Sequence, residues 1–136
     1  MSDVARNIET VKGIYAAFGK GDVPAILERI ADDVDWEFGA SDHGVPWLVH
    51  GRGREAVTRF FGQVAAELEF LRFDVRAVMG EGEWAVALIE LEARSKKTGK
   101  TFREACEAHI WRFDAKGRVV AMRHAADTWA HAQALR

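Results

Sequence analysis

Four ionisable residues in the second half of the chain have the types and placement for proton-transfer chemistry: Glu90, His109, His124 and Asp127. Histidine exchanges protons near neutral pH, and a neighbouring carboxylate fixes its tautomer or takes the proton itself. His109 and His124 sit in two β-compatible runs, TFREACEAHIWRF and RVVAMRHAADT, around the loop DAKG, whose last residue, Gly117, suits a turn closed at positive φ. Strand side chains alternate faces, so Glu107, His109, Trp111 and Phe113 share one face, and Val120, Met122, His124 and Ala126 share one on the return run. Aromatic and aliphatic walls around a few ionisable groups are the make-up of a small-molecule pocket. The chemistry they suit is removal of a proton next to a carbonyl, with Asp127 as base, His109 as acid or oxyanion donor, and Glu90 orienting His109. Each has a plainer reading. His109 also fits a satisfied core histidine, a one-residue slip in register would expel His124 or Glu90, and Asp127 before Thr128 also fits a cap on a last turn.

The elements that position these groups follow from periodicity. Val4, Ile8, Val11, Tyr15 and Phe18 form one face of an amphipathic helix, started by Ser2 or Asp3 and ended by Gly19 and Gly21. Asp22 caps a short second helix with Pro24 in its first turn. Residues 34–38 read as a strand with Trp36 and Phe38 on one face and Asp35 and Glu37 on the other. Residues 39–53 read as a loop whose Trp47 is placed to act as a lid or to pack over the core. A third helix over 54–68 points Phe61 inward, a half-buried strand covers 71–77, and another covers 84–95. Helices first and antiparallel strands afterwards argue α+β, with helices packed on one face of a curved sheet. On the strand over 84–95 the inner face is expected to carry Trp84, Val86, Leu88 and Glu90. Ala85, Ala87, Ile89 and Leu91 are then left with Cys106, Ala108, Ile110, Val119 and Ala121 as a bare outer patch, which a two-fold dimer would bury.

Composition narrows the classes. The 136 residues suit one domain, and a formal net charge of −2 with interspersed signs carries no nucleic-acid footprint. The single Cys106 excludes an internal disulfide and the usual cysteine zinc spacings. His109, His124 and a carboxylate are of metal-ligand types, but no tight spacing joins them, so no metal is expected. Without a GxGxxG or a P-loop, no nucleotide cofactor is expected either. No apolar run approaches membrane-spanning length and MSDVARNIET has no signal-like core, so the expectation is a soluble cytoplasmic protein without membrane partners.

Three stretches, IYAAFGKGDVPAILERIADDVDWEF, HGRGREAVTRFF and AHIWRFDAKGRVVAMRHAADT, resemble the nuclear transport factor 2-like superfamily, and within it the SnoaL-like and ketosteroid-isomerase-related proteins. The resemblance spans nearly the whole chain. It implies a conical α+β barrel, three N-terminal helices capping a strongly bent antiparallel sheet, with a ligand in the cone and dimers through the outer sheet face. It aligns Ile14 with the isomerase tyrosine, Tyr15 standing one step away. It puts Phe38 where the isomerase base follows the first strand, and His109 where the oxyanion-binding acid lies. The histidine–aspartate pair of SnoaL-like cyclases matches His109 and Asp127. Together these point to an isomerase, cyclase or dehydratase acting on a small apolar carbonyl compound, the ligand held by Tyr15, Trp36, Phe38, Trp47, Phe61, Trp84, Val86, Leu88, Trp111, Met122 and His124. The alternative is a binding module with the same pocket and no catalysis.

Overall fold

The computed structural model describes residues 3–136, so a cap by Ser2 lies outside the described residues. Helices α1 (Asp3–Gly19) and α2 (Val23–Leu27) precede strand β1 (Ile30–Trp36), and Asp22 caps α2 by accepting from the Ala25 N–H at 3.2 Å. The two-residue strand β2 (Gly51–Arg52) leads through Gly53, at φ 87°, into helix α3 (Arg54–Glu67). Strands β3 (Leu68–Glu81), β4 (Trp84–Ser95), β5 (Thr101–Phe113) and β6 (Val119–Ala125) follow, and helix α4 (Thr128–Ala134) closes the chain. The β5–β6 turn has the expected chemistry: Gly117 takes φ 83°, and the Asp114 carboxylate accepts from the backbone N–H groups of Lys116 and Arg118.

The α+β class holds, but the conical barrel under three N-terminal helices does not. The six strands form an open sheet in the order β2-β1-β6-β5-β4-β3, with β2 and β3 as unpaired edges. Only α1 and α2 come before the sheet, because α3 is inserted between β2 and β3. The reason is local. β2 pairs with β1 at only two positions before Gly53 turns the chain into α3, so that edge ends long before it could reach the 14-residue β3. The sheet is also mixed, since β1 runs parallel to β6.

The faces of β4 are the second correction. Ala85, Ala87, Ile89, Leu91 and Ala93 are buried under the helices, while Trp84, Val86, Leu88 and Glu90 face outward. Register forces this assignment. Ala85 is opposite Trp111 and Ala87 opposite His109, and directly opposed residues share a face. The small side chains leave room inside for Trp111, His109 and Tyr15. Val119, opposite Phe113, is likewise buried, not part of an outer patch.

Candidate functional site

A cavity of about 60 Å³ lies between the inner sheet face and helices α1 and α3. Its wall is mostly apolar and rich in aromatic rings, among them Tyr15, Trp36, Trp47, Phe61 and Trp111, with Met122 beside them, and its polar members are Glu107, His109, His124 and His131. The aromatic residues come from α1, β1, the 39–50 loop, α3 and β5, so the whole chain contributes. Leu48 and His124 also line a cleft of about 200 Å³ on the far side, between the 39–50 loop and the end of β6. These two side chains belong to both linings.

The first polar unit is a buried chain of three groups. His109 Nε2 is 2.6 Å from Glu107 Oε2, and its Nδ1 is 2.6 Å from the Tyr15 hydroxyl, which also accepts from the Trp111 indole N–H at 3.3 Å. Burial pushes the His109 pKa down, helped by the nearby His124, so the ring is neutral. Burial alone would raise the Glu107 pKa, but His109 and His131 beside it hold it well below the carboxylate norm. With Glu107 ionised, His109 carries its proton on Nε2, and the Tyr15 O–H donates to Nδ1. Burial also raises the Tyr15 pKa, which keeps that proton in place.

The second unit is His124 with Glu37. Glu37 follows β1 with φ 57°, the one non-glycine at positive φ among the described residues, and its N–H donates to Met122 O at 2.7 Å. An acyclic side chain in this region costs of order 1 kcal/mol or more and persists where neighbours hold it. Here the twist carries the carboxylate inward, and Glu37 is 1% exposed. It bonds His124 Nδ1 and sits 3.3 Å from the His124 backbone N–H. Burial disfavours a charged His124, but the Glu37 charge and hydrogen bond outweigh it and raise the pKa. The His109 and His124 rings lie 4.5 Å apart with their pKa values pushed in opposite directions.

A third cluster sits at the end of the cavity. His131 Nε2, from α4, lies 3.2 Å from Glu104 Oε2 and 3.3 Å from Glu107 Oε1. Burial pushes the His131 pKa down, but the two carboxylates win and bring it to about 9. The Glu104 pKa is raised as well, chiefly by burial. The three ligating atoms lie within 4.8 Å of one another, a spacing suited to a metal ion.

Of the residues singled out from sequence, Tyr15, Trp36, Trp47, Phe61, His109, Trp111, Met122 and His124 all line the cavity. Glu90 lies on the outer face, where Arg76 and Arg103 hold its pKa at about 2. Phe38 packs against Trp84, with ring centroids 6.2 Å apart and away from the cavity, and Val86 and Leu88 lie on the outer face too. Asp127 is exposed and caps α4 by accepting from the Ala130 N–H at 3.1 Å. Glu37, Glu104 and His131 escaped the sequence reading. Glu37 was assigned outward by alternation, which its positive φ breaks, and α4 had a signal in Asp127 followed by the alanine-rich TWAHAQA.

Among solved structures the chain is similar to an NTF2-like protein from Burkholderia pseudomallei, with 28% identity, 98% of each chain covered and a TM-score of 0.81. It is also similar to TerC co-crystallised with polyporic acid, at 23% identity, 96% of this chain and 98% of that one, TM-score 0.79. An LEH-like epoxide hydrolase from Mycobacterium tuberculosis shares the fold at 15% identity, covering 98% of this chain and 92% of its own, TM-score 0.71. No curated protein sequence matches the chain significantly. Among the described residues no helix is long and apolar enough to cross a membrane. Residues 11–122 match the SnoaL-like domain, and the chain belongs to that family.

Proposed function

We propose that the protein is an acid–base enzyme that moves a proton next to the carbonyl of a small, largely apolar compound, in the manner of an isomerase, cyclase or dehydratase. The observation that carries this is the pair of oppositely tuned histidine units facing one cavity. Groups whose surroundings push their pKa values apart divide into proton acceptor and proton donor. With His124 Nδ1 held by Glu37, its Nε2 makes no hydrogen bond among the described residues and is the base. Glu37 raises its basicity and fixes its tautomer, as a carboxylate behind a catalytic histidine does. When ligand binds, the Tyr15 O–H turns from its resting acceptor, His109 Nδ1, to donate to the developing enolate oxygen. Trp36 adds a buried indole N–H with no partner, a donor that a ligand oxygen would satisfy. Asp127, engaged at the cap of α4, is replaced in this scheme by His124. The larger part of a ligand would reach through the Leu48–His124 wall into the adjoining cleft. TerC's complex with polyporic acid supports a small organic ligand for this fold.

One observation favours a second reading. Both ring nitrogens of His109 are already engaged, which is what a binding module without proton traffic would show. Mass spectrometry of the co-purifying small molecules, followed by solvent-deuterium incorporation into the compound found, separates the two. Exchange by the wild type that drops about 100-fold in Tyr15→Phe and in His124→Gln supports the enzyme. Tight binding with no exchange supports the module.

We further propose a two-fold dimer through the outer sheet face. The observed face carries Val86, Leu88, Ala108 and Ile110, flanked by Trp84 at 40% and Met79 at 48% exposure. Small and aliphatic side chains there let a second sheet pack at about 10 Å, and a standard interface would bury roughly 800 Å² per partner.

A further inference from the structure

We propose that Glu104, Glu107 and His131 form a binding site for a zinc-sized divalent cation, which shares Glu107 with the Tyr15–His109 chain but does not rest on the proton-transfer reading. The site is built by a break in strand alternation. On β5, Glu104 and Glu107 are three residues apart and would normally point to opposite faces. Between them β5 carries one extra residue, since Glu107 pairs with Ile89 and Glu104 with Leu91. A bulge of this kind re-aims a side chain, and both carboxylates are buried, with Ala105 and Cys106 left exposed between them. Helix α4 then lays His131 across the pair.

Each carboxylate gives one oxygen to this point and anchors the other elsewhere. Glu104 Oε1 accepts from the Asp127 N–H at 3.0 Å, and Glu107 Oε2 accepts from His109 Nε2. Such outer hydrogen bonds are what hold ligands in aim at metal sites. The second observation is that Glu107 Oε1, on a residue only 3% exposed, has no hydrogen bond, although it lies 3.3 Å from His131 Nε2. A buried carboxylate oxygen turned towards a nitrogen without a bond to it is a vacant ligand position.

Geometry and charge select the ion. A tetrahedral site with bonds of about 2.0–2.1 Å has ligand–ligand edges of roughly 3.3 Å, and the two edges at His131 are 3.2 and 3.3 Å. One imidazole and two carboxylates are too few oxygens for calcium, which takes six to eight, and imidazole favours zinc-like ions over magnesium. Two buried carboxylates facing one neutral imidazole leave negative charge in a dry site, and a dication offsets it in place of the proton that His131 otherwise holds. Glu107 and His131 both line the cavity, so a fourth position would open to it.

The test uses the full chain stripped with a chelator and then titrated with Zn²⁺ by calorimetry and with Co²⁺ by visible absorption. The expected result is one ion per chain, with Co²⁺ giving the d–d bands of a low-coordinate site. Glu104→Gln and His131→Ala should each weaken binding at least tenfold, on the scale seen for removing ligands or their supports, whereas the exposed His50→Ala should leave it unchanged. Since His131→Ala also removes a buried charge partner, the near-isosteric Glu104→Gln, checked for native circular dichroism, decides the case. No binding by the wild type, binding unchanged in Glu104→Gln, or binding lost only in His50→Ala overturns the assignment.

Discussion

The two faces of the central strands hold similar carboxylates under opposite conditions. Outside, Glu90 is ringed by Arg72, Arg76 and Arg103 within reach of water. Inside, Glu107 has His109 and His131 as partners and is 3% exposed. Exposed ion pairs are screened and exchange readily with water, so they contribute little. Buried ones cannot be rehydrated when a partner is lost, and their pKa values are at the mercy of their neighbours. The proposed chemistry therefore uses the inner set, although the outer one has more ion pairs.

The largest contrast should come from removing one carboxylate on each face. Glu107→Ala should destabilise the fold by about 3–5 kcal/mol, as breaking a buried pair does. Glu90→Ala should cost far less, because ion pairs open to solvent contribute little. Chemical denaturation of both variants checks this, and equal losses would erase the distinction between the faces. Next in size are Tyr15→Phe and His124→Gln, each expected to lower turnover about 100-fold. Removing the Tyr15 hydroxyl leaves His109 Nδ1 and the Trp111 N–H without their partner and should cost about 1–3 kcal/mol of stability, so turnover is compared on the folded fraction.

A subtler test uses pH. The folded pKa of His124 lies above its unfolded value, so its contribution to stability is complete below about pH 6.5 and is lost as pH rises through the folded value. His109 behaves oppositely. Its folded pKa is depressed, so stability falls as pH drops below about 6.5 and the unfolded chain takes up the proton first. As a base, His124 must be neutral, so kcat/KM should rise with pH along a limb displaced above 6.5. Glu37→Gln should bring that limb down, and an unmoved profile would remove Glu37 from the scheme. The smallest effect concerns assembly. Ala108→Glu on the outer face should split the proposed dimer in sedimentation at micromolar concentration and leave the inner site intact.

The hairpin face of Glu107, His109 and Trp111, the bracketing helices and the α+β class were legible because alternation, helical periodicity and turn chemistry persist there. What was illegible lies where the backbone breaks its own period. Glu37 turns inward through a positive φ, and Glu104 through a bulge. On β4 the alternation was seen but its sense was inverted, since small alanines resemble an outer patch until Trp111 and His109 are placed opposite them. Openness of the sheet was hidden for another reason. It depends on how far β2 extends, and a glycine-rich 39–53 segment carries no periodicity to measure.

The central claim is that two histidines 4.5 Å apart on the cavity wall have their pKa values pushed in opposite directions by their surroundings. An NMR titration of the side-chain nitrogens of all five histidines tests it without any substrate. The account predicts that His124 titrates above 6.5 while His109, protonated on Nε2, stays neutral to below that pH. Two rings titrating together near 6.5, or His109 above His124, would contradict it.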